Sequence, residues 1–366
     1  MRAPGTTPPC LADQAVRTAW RGAPTARFGR TAQAVGAKTR LVRRWLGRFL
    51  SGIHRNGTEG LRGMALSGEQ WDIEAGAHRA TVVEVGGGIR SYGVRNVAVL
   101  DGYGTDEICP GGAGAQLAPW PNRTGDGRYE FGGTEYQLAL SEPARHNAIH
   151  GLVRWQPWRR LAGTPDSVTV GCVLPAQPGY PWSLALTTRW TVSEHGLRAE
   201  HSVRNLTDAP APFGLGCHPY LRLPGPIDEW VLRVPARTLQ RTDERGLPVR
   251  TEPVAGSEYD FGTSRPIGDT VLDTGYTNLT RGDAGTVEVT LTSPGGHNAT
   301  LWADESFGWV QVYTGDTAKL PRRRRSVAVE PMTCPPNALR TGADLLVLAP
   351  GDTWRGAWGI RATIAG

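Results

Sequence analysis

Residues 184–203 read LALTTRWTVSEHGLRAEHSV, and the spacing of apolar side chains within them decides the fold class. Leu184, Leu186, Trp190 and Val192 fall on alternate positions, as do Leu197, Ala199 and Val203. A period of two is that of a strand with one face buried, and the intervening residues 194–196 end in the glycine of a tight turn. The same signal recurs outward. Residues 81–85 and 89–94 flank Gly86-Gly87-Gly88, and 128–131 and 134–138 flank Gly132-Gly133, a two-residue turn that wants positive φ. Residues 345–348 and 354–360 flank Pro350-Gly351-Asp352, with Trp354 and Trp358 alternating with small or polar neighbours. No long stretch has apolar residues spaced by three and four, so helices are expected to be few and short. Many strands with a turn every ten or so residues predict one all-β domain, a large antiparallel sandwich or barrel, over residues 64–366.

Composition agrees. Gly (48) and Pro (28) make up about a fifth of the 366 residues, well above the usual share. At 39% hydrophobic and 20% charged, the chain is too apolar for disorder, and no apolar run approaches the roughly 20 residues of a membrane span. The net charge of +6 is unevenly spread: residues 1–63 hold twelve Arg/Lys against Asp13 and Glu59, which leaves 28 basic and 32 acidic residues beyond them. The body is therefore mildly acidic, with no nucleic-acid surface expected. The first 63 residues are rich in Pro, Ala, Thr and Arg. Leu41, Val42, Trp45, Leu46, Phe49 and Leu50 form an apolar stripe there, interleaved with Arg43, Arg44 and Arg48. Composition favours a disordered basic extension over a membrane-surface or targeting helix. Five scattered cysteines without a C-x-x-C pair argue against a disulfide framework or structural zinc site, and point to a reducing cytoplasm.

Polar residues that break the alternation mark the candidate sites. In FGLGCHPY (213–220), Phe213, Leu215 and Cys217 share one face, while Gly214, Gly216 and His218 share the other. Two glycines beside a histidine suggest an open floor for a ligand, and Pro219 ends the ladder. Cys217 reads as packing, because adjacent strand residues face opposite ways. In SVAVEP (326–331), Glu330 lies on the face opposite Val327 and Val329. A carboxylate at the end of an apolar strand is costly unless paired or used, and desolvation raises its pKa toward that of a working base. The ordinary alternatives are a hydrogen-bonded core histidine and a salt-bridged glutamate. Trp309, Gln311 and Tyr313 share a face, the composition of a sugar surface but also of a plain aromatic ladder. Pro119-Trp120-Pro121-Asn122-Arg123 is a stiff segment whose arginine offers a fork of donors for adjacent oxygens. His146 and His150 have the spacing of a zinc helix, but Asn147 stands where a glutamate belongs and Gly151 follows, so no metal is expected. There is no phosphate loop and no G-x-S-x-G elbow.

In chain order, Pro121-Asn122-Arg123, Gly127-Arg128-Tyr129, Asn147-Ala148-Ile149-His150-Gly151, His218-Pro219-Tyr220, Leu272-Asp273-Thr274, Gln311-Val312-Tyr313 and the run from Glu330-Pro331-Met332 to Ala338 resemble the motifs of the aldose 1-epimerases, or galactose mutarotases. The resemblance runs from about residue 70 to the end. It implies a β-supersandwich with the sugar in an open cleft. It also implies Glu330 as the general base on the anomeric hydroxyl and His218 as the general acid at the ring oxygen, with Asn122, Arg123, His150, Tyr220, Asp273 and Gln311 binding the sugar. No cofactor is implied, and the partner is a small-molecule sugar. Ordinary pKa values near 4.3 for Glu and 6.5 for His would put a base and an acid around neutral pH.

Three activities stay open on the residues: mutarotation of a free hexose, epimerisation of a phosphorylated one with the successive Arg322, Arg323, Arg324 and Arg325 as phosphate clamp, and sugar binding without catalysis. The arginine run is expected to be a solvated loop, since four successive side chains cannot converge on one phosphate without a sharp turn. A binding module has no need for both His218 and Glu330.

Overall fold

The computed structural model describes residues 65–365, and the basic segment 1–63 with its apolar stripe lies outside them. Two large sheets dominate, and all strand pairs are antiparallel. A nine-stranded sheet runs, in spatial order, Arg159–Thr164, Ser167–Leu174, Leu184–Ser193, Gly196–Asn205, Thr353–Thr363, Asn298–Ala303, Val287–Thr292, Val231–Arg233 and Arg265–Pro266. An eight-stranded sheet runs Pro248–Pro253, Ala236–Thr242, Asp273–Leu279, Trp309–Tyr313, Val327–Met332, Gly216–Cys217 and Gln116–Leu117, with Tyr220–Leu221 also paired to Val327–Met332. A four-stranded sheet (Gln70–Ala75, His78–Val83, Ile89–Val94, Val97–Ala98) and three two-stranded ribbons complete the set. Among the described residues the α-helix is limited to one turn, Ala338–Thr341.

The hairpins follow the sequence pattern. Leu184–Ser193 pairs in continuous register with Gly196–Asn205. Gly132 and Gly133, at φ 59° and 75°, form the turn between Arg128–Phe131 and Thr134–Gln137. One expected neighbour relation is absent: Leu346–Leu348 pairs with Ala211–Phe213, while Thr353–Thr363 joins the nine-stranded sheet, so the Pro350-Gly351-Asp352 turn separates two sheets.

Alternation buries Trp190, Trp358, Leu239, Tyr276, Val310, Val312, Val327 and Val329 in one continuous apolar core. A polar chain crosses that core. Trp358 Nε1 donates to His201 Nε2 (2.9 Å), which puts the ring proton on Nδ1, facing Thr188 Oγ1 at 2.9 Å. Thr188 donates to Gln116 Oε1 (2.6 Å), and Gln116 Nε2 donates to the Gly87 carbonyl (2.7 Å). Burial pushes the pKa of His201 down to about 3, so it stays neutral in this role. The chain links both large sheets and the small one, and every buried donor in it finds an acceptor.

The arginine run is not a solvated loop. Arg325 donates to both oxygens of Asp101 (2.6 and 3.2 Å), and Arg322 donates to Asp101 (3.3 Å) and Glu107 (3.1 Å). Arg324 binds Asp316 (2.8 Å), Asp228 (2.6 Å) and two backbone carbonyls. Asp101, with a side chain 4% exposed, is the hub, and Arg222 (3.5 Å) and Ser326 (3.2 Å) also point to it. Arg222, Arg322 and Arg325 converge on Asp101, whereas Arg324 turns to Asp228 and Asp316. Replacing Asp101 with Ala should therefore leave several part-buried cations facing one another. We expect a loss of order 2 kcal/mol, below the 3–5 of a fully buried pair because the arginines keep some solvent. An unchanged urea midpoint would show the cluster to be freely solvated.

Candidate active site

Register on the eight-stranded sheet assembles the site. Gln240 lies opposite Gly275, Gly275 opposite Gln311, and Gln311 opposite Glu330. Directly paired residues share a face, so these four form one row on the face away from the core. A second row, two residues along, contains Asp273, Tyr313, Ala328 and Tyr220. His218 lies between Gly216, which pairs with Met332, and Tyr220, which pairs with Ala328. By count it meets Glu330.

His218 Nε2 is 3.3 Å from Glu330 Oε1, with the two side chains 6% and 3% exposed. Burial is the main cause that pushes the His218 pKa down to about 3, with the positive charges of Arg154 and Arg123 adding to it. Burial, then the Asp273 carboxylate, pushes Glu330 well above the ordinary carboxylate range, and Arg123 pulls it partly back. Both shifts favour the neutral forms, a protonated Glu330 beside an uncharged His218, so the contacting pair carries one titratable proton. His218 Nδ1 and Glu330 Oε2 have no hydrogen-bond partner. The Tyr220 ring stacks on the His218 ring at 4.7 Å, held by its hydroxyl on the Gly111 carbonyl (3.1 Å). On the other side Gly112, at φ 78°, leaves room: a Cβ there would sit 3.3 Å from the imidazole.

The remaining wall comes from the ribbon of Arg123–Gly125 and Asn147–Ile149. Arg123 is not the free fork that its sequence context suggests. Its Nε and Nη2 grip Glu142 at 2.9 and 3.1 Å, leaving Nη1 toward Asn122 Oδ1 (3.4 Å) and Asp273 (4.0 Å). Asn147 steadies Glu142 through a 3.0 Å hydrogen bond. Buried Asn122 and His150 adopt positive φ, 52° and 63°, and the His150 amide donates to the Asn122 carbonyl (2.8 Å). The His150 ring meets His218 edge-on at 5.4 Å, and its Nδ1 is unpaired. Gln311 Nε2 donates to Asp273 Oδ1 (2.7 Å), which aims its unpaired Oε1 elsewhere. The structure thus gathers His218, Glu330, Asn122, Arg123, His150, Tyr220, Asp273 and Gln311 around one region.

Several readings change. Gly214 and Gly216 are no ligand floor. A Cβ at Gly214 would lie 2.5 Å from Cys334 Sγ, and one at Gly216 would lie 2.7 Å from Pro121, so these glycines admit the segment that carries Asn122 and Arg123. Residues 147–149 are strand, not helix, and His146 points to Asp126 at 2.9 Å, away from His150. Trp309 is buried with its indole on Asp344 (2.7 Å), so of its face only Gln311 and Tyr313 reach the site side. The reading of Cys217 as packing stands: it is buried, its thiol pKa raised by burial. Sequence reading missed Glu142, Gly112 and Gly275. The pairing of Glu142 with an arginine 19 residues away carries no local signal.

Comparison with known proteins places this geometry. The aldose 1-epimerase family model matches residues 69–361. An Escherichia coli K12 protein, the uncharacterized YihR, is 35% identical over 295 residues, covering 80% of this chain and 92% of its own. A crystal structure of a putative aldose 1-epimerase from E. coli K12 superposes with TM-score 0.71 at 20% identity, over 81% of this chain and 99% of that one. Galactose 1-epimerase from Lactobacillus acidophilus superposes with TM-score 0.68 at 18% identity, over 80% and 94%. With the family model matching residues 69–361 and the family motifs gathered on the eight-stranded sheet and the small ribbons beside it, this chain belongs to the aldose 1-epimerase family.

Proposed function

We propose that the protein interconverts the α and β anomers of a free aldose, a hexose of the glucose or galactose type, by acid–base ring opening and reclosure. The observation that carries this reading is the buried contact of Glu330 with His218, an acid and a base that hold one proton between them. Ring opening needs just that. Glu330 takes the proton from the C1 hydroxyl, His218 gives its proton to the ring oxygen, the C1–O bond breaks and C1 becomes the aldehyde. After rotation about C1–C2, reclosure reverses both transfers, so no net proton is taken or released. The arrangement reached on opening, with Glu330 protonated and His218 neutral, is the one that burial favours. In this reading Arg123, Asn122, His150, Tyr220, Asp273 and Gln311 hold the hydroxyls, and the unpaired atoms of His150 and Gln311 are suited to them.

The other readings have less support. A phosphate clamp at the arginine run would have to displace Asp101, Glu107, Asp228 and Asp316. A sugar-binding module has no use for a buried acid–base pair. Four free thiols among the described cysteines agree with work in the cytoplasm, and no described helix is long and apolar enough to cross a membrane.

Glu330→Gln and His218→Ala should each lower kcat for mutarotation by about 10²-fold or more, read by polarimetry of fresh α-glucose and α-galactose. The double variant should lose far less than the product of the two, because the transfers act as one unit. Near-normal turnover by Glu330→Gln would place the base elsewhere.

The pH profile follows from the shared proton. Activity needs one proton on the pair. It fails at low pH when a second binds and at high pH when the only one leaves. Because burial pushes His218 down to about 3 and Glu330 well above the ordinary carboxylate range, the acid limb should lie near pH 3 and the alkaline limb well above the ordinary carboxylate range. Limbs at the ordinary values would mean that the groups titrate independently.

We further propose that residues 64–366 are the working unit, in keeping with a family match that begins at residue 69. A chain beginning at Met64 should keep its turnover and melting temperature; a melting temperature many degrees lower would assign residues 1–63 a packing role.

A further inference from the structure

Gln240 is unexplained by the roles described so far. Its side chain is 8% exposed, and its amide oxygen has no hydrogen-bond partner. Buried amides are almost always paired, and an exception calls for a reason. Alternation gives its direction: Leu239 is fully buried in the core, so Gln240 turns to the opposite face, that of Gln311 and Glu330. Between Gln240 and Gln311 stands Gly275, where a Cβ would lie 3.2 Å from Gln311 Oε1 and 3.7 Å from Gln240 Oε1. Two unpaired acceptors thus border one space that only a glycine leaves open. The Gln311 oxygen is fixed there by its own Nε2 bond to Asp273. Acceptors without donors suit the hydroxyls of a sugar. Adjacent strands are about 4.8 Å apart, so the Gln240 backbone lies roughly 14 Å from that of Glu330, at the far end of the row. With C1 and the ring oxygen at Glu330 and His218, the far end meets the opposite side of the pyranose, where C4 stands across the ring from C1.

We infer that Gln240 is a specificity-determining residue that accepts a hydrogen bond from the C4 hydroxyl of the sugar, with Gln311 beside it; this rests on the mutarotase reading above. Glucose and galactose differ only in the configuration at C4, so this amide would choose between them. A buried acceptor left without its donor is the device by which polar sites reject analogues.

The test measures kcat/KM for mutarotation of glucose, galactose and 4-deoxyglucose, with 6-deoxyglucose and 6-deoxygalactose as controls, by the wild type, Gln240→Leu and Gln240→Glu. The wild type should favour one of the two hexoses and turn over the 4-deoxy sugar at least about tenfold more slowly than it. Gln240→Leu should lose about tenfold on the favoured hexose and on the 6-deoxy sugar of the same C4 configuration, yet stay within about twofold on the 4-deoxy sugar. Gln240→Glu, which keeps an acceptor of the same shape, should retain the preference. An equal loss on all sugars, a loss on none, or a wild type indifferent to the C4 hydroxyl would each overturn the inference, the last whether or not the variants fold. A wild type that accelerates no sugar would sink the mutarotase reading instead. The same comparison is then made on binding, by tryptophan fluorescence, where selective loss of the favoured hexose in Gln240→Leu supports the inference and its absence overturns it.

Discussion

The contact between Glu330 and His218 is the constraint on which the rest of the site depends. Each group alone would be expensive at 3–6% exposure, and neither could hold its charge without a partner. Placed 3.3 Å apart they need only one proton between them, and the cost of burial falls from two isolated charges to one shared position. That arrangement requires the two strand ends to meet in register. The sheet supplies this twice over: Gly216 pairs with Met332 on one side, and Tyr220 with Ala328 on the other. The chain has no freedom to slide by one residue without turning Glu330 into the apolar core.

What holds the register comes from outside the two strands. Pro121 packs over Gly216, Cys334 fills the space at Gly214, and Gln116 pairs with Cys217 while its side chain reaches into the His201 network. The strand that leads into His218 is therefore tied, through Gln116, to hydrogen bonds that pass through the core to the nine-stranded sheet. The same segment that clamps Gly216 presents Asn122 and Arg123, so packing and polar lining derive from one stretch of chain.

The fold was largely legible in the sequence because strand alternation and turn glycines are local signals. Residues 184–203 and 128–138 carry both the strands and the turn that joins them. The candidate pair was legible for the same reason: Glu330 and His218 break an alternation that their neighbours keep. Partners distant in sequence were not. Gly214 and Gly216 looked open because what covers them, Pro121 and Cys334, lies about 95 and 120 residues away. The arginine run looked solvated because its acceptors include Asp101, more than 220 residues back. Gly275 and Gln240 had no pattern to mark them, since a row across strands exists only once register is set. Pairing of Leu346–Leu348 and Thr353–Thr363 with other strands was hidden likewise: a turn signal shows that the chain reverses, not that the flanking strands meet.

The arginines show how partners, not residue type, decide a role. Arg324 spends its donors on Asp228, Asp316 and two carbonyls, so nothing of it is left for a ligand. Arg123 also gives its fork away, to Glu142, but its third nitrogen faces Asn122 and Asp273 beside the Glu330–His218 pair. There its charge does two things at once. It lowers the cost of a carboxylate at Glu330 and opposes a cation at His218, so it shifts the shared proton away from both groups rather than toward either. Asp273 acts in the opposite sense on Glu330 and holds Gln311 as well. The proton of the pair is thus set first by burial and then adjusted by Arg123 and Asp273, which are themselves 4.0 Å apart, with Arg154 adding to Arg123 at His218. A charge change at Arg123 would therefore act on both members of the pair, and one at Asp273 on Glu330, although neither side chain touches the proton.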